Sequence, residues 1–138
     1  MGRILAIDYG TKRVGLAVTD PLQLIATGLE TVSSAVLLDY LEQYFTKEII
    51  DCVVVGEPKT LLNKASSNAY HVEQFLKKFR EKFPEKRVER VDERFTSSIA
   101  QRTMLDGGLK KSDRKNKSTV DVISAILILQ TWLEMKSR

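Results

Sequence analysis

"ILAIDYGTKRVGLAVTD", residues 4–20, sets two apolar runs on either side of a glycine turn and buries a carboxylate, Asp8, inside the first of them. Desolvating an unpaired carboxylate costs several kcal/mol or more, so Asp8 must meet a cation, a set of hydrogen-bond donors, or water at a cleft. The short link through Gly10 makes "RILAIDY" and "RVGLAVTD" a hairpin. The fold therefore starts antiparallel, with a charged group where a core residue belongs.

Outward from this stretch, the 138 residues alternate between extended and helical patterns. "LIATGLETV" follows Pro21 as a third extended piece. From Ser33, with Ser33 or Ser34 placed to cap, Leu37, Leu41, Tyr44 and Phe45 recur at helical spacing. "DCVVVGEP" is an apolar strand ended by Gly56 and Pro58, and such a continuous run predicts burial on both faces in a central sheet position. A helix from about Ser66 to Phe83 carries Val72, Phe75, Leu76, Phe79 and Phe83 as its stripe and stops at Pro84. "RVERVDERF" alternates as a strand. Thr96 or Ser97 caps a helix bearing Ile99, Met104 and Leu105 that ends at Gly107-Gly108, and Ser118 or Thr119 opens a last helix with Val122, Ile123, Ile126, Leu129 and Leu133 as its apolar face. No repeat or linker divides the chain, which reads as one α/β domain over residues 1–138.

Composition excludes several classes. With 43% hydrophobic and 29% charged residues the chain has the balance of a globular domain. The apolar run Val122 to Leu129 is broken by Ser124 and falls far below spanning length, and "MGRILAIDYG" lacks a signal-peptide cleavage site. The expectation is a cytoplasmic protein with no membrane partner. Cys52, the one cysteine, sits in "CVVVG" and packs as a small hydrophobe. The net charge of +4 is local: Lys110, Lys111, Arg114, Lys115 and Lys117, opposed by Asp113, give the segment 109–118 all of it. A charged segment beside a helix is ordinarily a solvated loop. Clustered positive charge is equally the footprint of a phosphate-backbone binder.

The acidic residues with a claim to a site are Asp8 in the first strand, Asp92 and Glu93 at the end of "VERVDER", Asp121 early in the last helix, and Glu57 after "VVVG". A first-turn carboxylate such as Asp121 has a structural excuse in the helix macrodipole. The neighbouring Ser124-Ala125 nevertheless predicts a helix face packed closely on the sheet. Carboxylates converging there without basic partners would repel one another unless divalent cations lay between them.

"AIDYGTKRVGLAVTD", "VVVGEPK", "VDERFTS" (residues 91–97) and "KSTVDVISAILILQTWL" (residues 117–133) occur in an order and spacing that resemble the YqgF/RuvX family of Holliday junction resolvase-like proteins, also described as pre-16S rRNA nucleases. The resemblance covers almost the whole chain. It implies an RNase H-like fold: a five-stranded mixed sheet flanked by helices, three strands antiparallel and two reached through crossovers. Matched motif by motif, it makes Asp8, Glu93 and Asp121 the metal-holding catalytic carboxylates. Two cations roughly 3.5–4 Å apart would then bind the attacking water and the leaving oxygen of a phosphodiester. Magnesium suits such oxygen ligands, with manganese as the alternative. Gly10 would let the backbone turn sharply beside the site. Arg94 with Lys110, Lys111, Arg114, Lys115 and Lys117 would hold the strand by its phosphates.

The function implied is metal-dependent cleavage of structured nucleic acid, foremost 5′-end processing of pre-16S rRNA, by a monomer or weak homodimer. A DNA-junction resolvase and a non-catalytic RNA-binding assembly module are the alternatives. Glu57 departs from the family pattern, which is more often apolar after "VVG", and reads as a solvated variant or a fourth carboxylate. Strand alternation sends Asp92 and Glu93 to opposite faces, so one of them alone serves the site. "DYGT" also resembles the first phosphate loop of the sugar kinase and actin ATPase group, but no second such loop follows.

Overall fold

The computed structural model describes residues 2–57, 68–92 and 117–136. Three strands open the chain: β1 (Arg3–Tyr9), β2 (Arg13–Thr19) and β3 (Ala26–Ser33). A short 3-10 turn leads into α1 (Leu37–Lys47), followed by β4 (Ile50–Glu57), α2 (Ala69–Lys82), β5 (Arg87–Asp92) and α3 (Lys117–Lys136). The sheet order is β3-β2-β1-β4-β5. β1/β2 and β2/β3 run antiparallel, while β1/β4 and β4/β5 run parallel. This is the mixed five-stranded sheet expected.

Alternation along the strands builds two cores. Leu5, Ile7, Val14, Leu16, Val53 and Val55 turn to one face, where they meet Leu37 and Leu41 of α1 and Val72, Phe75, Leu76 and Phe79 of α2. Ile4, Ala6, Ala17, Cys52, Val54 and Val91 turn to the other, where α3 lies across the sheet. β4, lying between two strands and covered on both faces, confirms the reading of its apolar run. Ser33 caps the 3-10 turn through its hydroxyl oxygen, which accepts from Ala35 N–H at 3.3 Å.

Three expectations need correction. The third strand starts at Ala26 rather than near Leu24, because the Asp20 carboxylate captures the amides of Leu22, Leu24 and Ile25 at 3.1, 2.9 and 2.8 Å and bends the chain into a loop. The α3 stripe facing the sheet is Ala125, Ile128, Leu129 and Trp132. Of the residues expected there, Leu129 belongs to it, Ile126 and Leu133 pack against it, Val122 and Ile126 meet the sheet at the open side of Gly28 on β3, and Ile123 alone is merely half-buried. A helix apolar on nearly all sides does not select a face by periodicity, and the open sides of Gly15 and Gly28 on the sheet set where it comes close. Finally, α3 begins at Lys117, which puts Asp121 past the first turn and beyond the macrodipole's reach.

The helix expected after Thr96 lies outside the described residues, as do Glu93, Arg94, Lys110, Lys111, Arg114 and Lys115. Among the described residues no helix is long and apolar enough to cross a membrane. Cys52 is buried, and burial together with Glu89 pushes its thiol up to about 12. Alkylation by iodoacetamide at pH 8 is therefore expected to run about a hundredfold or more slower in the folded chain than in urea. Comparable rates would contradict an inert core thiol.

Candidate active site

The parity that fills the α3 core also aims the site. Ala6 belongs to that core, so Asp8, two residues on, emerges on the same face at the end of β1, where burial gives way to partial exposure. Its antiparallel register partner is Gly15. On β2 the alternation that buries Ala17 under α3 gives Gly15 and Arg13 the same face.

Gly15 is where the helix comes down. A Cβ at this position would be driven into the backbone carbonyl of Asp121 and would lie 3.1 Å from the Asp121 Cβ. Directly opposed residues of an antiparallel pair sit about 4.5–5.5 Å apart between Cα atoms, so the glycine's missing side chain seats Asp121 one strand away from Asp8. The turn before it is equally tight: a Cβ on Gly10 would come within 2.5 Å of the Arg13 carbonyl oxygen. That glycine has the role expected of it.

Asp121 is not without a basic partner, contrary to the sequence-based picture of mutually repelling carboxylates. Arg13 Nε donates to Asp121 Oδ2 at 2.8 Å, with the two side chains 41% and 20% exposed. The Asp121 carboxylate is thus charge-compensated by a guanidinium at the edge of the sheet. Carboxylate oxygens have the hardness that magnesium or manganese requires. Asp8 and Asp121 would be the chain's own ligands for such an ion. Among the described residues no three His, Cys, Asp or Glu side chains gather as a metal set, and Glu93 lies outside them.

The remaining acidic residues divide by face. Glu57 ends β4 two residues after Val55, and Asp92 ends β5 in register with it. Alternation from Val55 and from Val91 turns both toward the α1/α2 side, away from Asp8. His71 is exposed on α2, edge-on to Tyr70. Two site residues went unread in the sequence: Gly15, whose signal was a glycine interrupting a strand pattern, and Arg13 as the partner of Asp121, which no local pattern announces because 108 residues separate them.

A mixed sheet in this order, with acidic residues from its first strand and its last helix brought together, defines an RNase H-like protein. The solved structure of Thermus thermophilus RuvC in complex with a Holliday junction substrate superposes with a TM-score of 0.61 over 98% of this chain and 96% of that one, at 18% identity. The same organism's RuvC without that description gives 0.53 over 97% and 96%. The model of the RuvX family, described as Holliday junction resolvase, matches residues 2–135, and the chain belongs to that family. A protein of Christiangramia forsetii named "Putative pre-16S rRNA nuclease" is 56% identical over 133 residues, covering 96% of this chain and 98% of its own. One of the same name from Bacteroides thetaiotaomicron is 54% identical over 136 residues, 99% of each chain.

Proposed function

We propose that this chain is a single-domain, metal-dependent nuclease of the cytoplasm that processes the 5′ end of pre-16S rRNA, with Asp8, Glu93 and Asp121 as its catalytic carboxylates. Family membership and the names of relatives more than half identical support the activity and the substrate. The observation that carries the site is Asp121 seated on Gly15, the register partner of Asp8. Asp92 faces the opposite side of the sheet, and Glu93 is taken as the third member on its place in the family's "VDERFTS" motif.

Magnesium or manganese bound there would supply Lewis-acid stabilisation of the phosphoryl charge and an activated water. The chain's own contributions are fixed by its backbone. β1 holds the Asp8 carboxylate at the rim of the sheet, α3 comes down on Gly15 with Asp121, and in the chain without metal Arg13 donates to the Asp121 carboxylate. Arg94, Lys110, Lys111, Arg114, Lys115 and Lys117 would grip phosphates flanking the scissile bond without reading sequence.

Pure protein assayed on pre-16S RNA and on a four-way DNA junction, with magnesium, manganese or chelator, tests this reading. Metal-dependent RNA cleavage is expected; preferential cutting of the junction would favour the resolvase, and binding without cleavage the assembly module. The basic segment has its own test. Replacing Lys110, Lys111, Arg114, Lys115 and Lys117 by Ser should weaken binding to all nucleic acids alike and flatten the salt slope by roughly 1.5–2, since two or three phosphates would lose their partners at about 0.7 each. An unchanged slope would make the segment a solvated loop.

A further inference from the structure

The geometry and exposure of the Arg13–Asp121 pair make it a weak one. It is a single contact, Nε to Oδ2 at 2.8 Å, rather than the paired fork of which a guanidinium is capable. Arg13 is 41% exposed, and ion pairs in such surroundings are weak and screened by salt. It also sits on the rim, at the first residue of β2 and next to exposed Lys12, on the same face as Asp8. A divalent ion seeking Asp121 oxygens would compete directly with this guanidinium.

We propose that Arg13 is an exchangeable counter-ion: it holds the Asp121 carboxylate in the metal-free protein, yields it when a divalent cation loads, and then takes a phosphate of the nucleic-acid strand at the same edge. This rests on the reading of Asp8 and Asp121 as metal ligands. Its consequence is a coupling in which loading the metal releases a phosphate-binding group. The planar, permanently charged guanidinium suits both partners, carboxylate and phosphate.

Two measurements on the full-length protein test it. In manganese titrations followed by the EPR signal of free Mn2+, Arg13→Gln should bind about two- to fivefold more tightly than wild type, because a weak competitor has been removed. Lys12→Gln removes the same charge from the neighbouring residue and should change affinity less. In the second measurement, the salt dependence of binding to a single-stranded RNA is compared in calcium and in EDTA. With calcium the wild-type slope should exceed that of Arg13→Gln by about 0.7, one phosphate contact, and in EDTA the two slopes should coincide. Unchanged or weaker manganese binding in Arg13→Gln, equal tightening in Lys12→Gln, or a slope difference that persists in EDTA would overturn the proposal. Asp121→Asn separates this from the underlying reading: if it binds manganese like wild type, the metal-site reading itself fails. If it loses manganese while Arg13→Gln is unchanged, only the exchange is wrong.

Discussion

Asp8→Asn and Asp121→Asn are each expected to lower the cleavage rate roughly a thousandfold or more, and the double variant little further, because the two carboxylates act as one unit. The amide keeps the shape of the side chain and removes the charge that would hold a cation. Folding should barely notice. In Asp121→Asn the lost interaction is the Arg13 pair, whose exposure limits it to about 0–1 kcal/mol. Single-turnover rates at saturating magnesium, together with thermal melts, check both halves. Retained activity in Asp121→Asn would remove that residue from the site, and a collapse of stability in either variant would show that the carboxylates are structural.

How far the sequence led is visible in particular residues. The strand pattern of residues 4–20 implied the hairpin, and the apolar run of β4 implied its interior place, because period-two alternation and two-sided burial are local signals. The facing of α3 was legible only in part: Val122, Ile126, Leu129 and Leu133 do pack toward the sheet, but Ala125, Ile128 and Trp132 were not read. Its residues are apolar on nearly every side, so the stripe through Ala125, Ile128, Leu129 and Trp132 is chosen by the sheet it meets rather than by its own period. Asp20 misled in a different way: the apolar pair Leu24-Ile25 looks extended until a carboxylate five residues back competes for the backbone amides. At the site, Asp8 was legible because a charge inside a strand is anomalous, whereas Arg13 resembled any other surface cation.

Gly15→Val is expected to damage the fold and the candidate site together, although glycine carries no functional group. The glycine lies in β2 with Asp8 opposite it and the backbone of Asp121 against its open side. A Cβ there meets a main-chain carbonyl, which cannot step aside as a flexible side chain would, so the start of α3 must lift from the sheet. Overpacking of this kind costs about 1–3 kcal/mol or more, a loss of roughly 5–15 °C in melting temperature for a domain of this size. Gly15→Ala should show the same defect in milder form. Because the displaced segment carries Asp121, cleavage should fall much further than the folded fraction does, and raising the magnesium concentration should restore only part of it. Manganese titration supplies the decisive comparison at a temperature where Gly15→Ala remains folded. Weakened metal binding there would mean that β2 sets the distance between the two carboxylates, whereas wild-type affinity would mean that α3 is positioned by its apolar stripe alone.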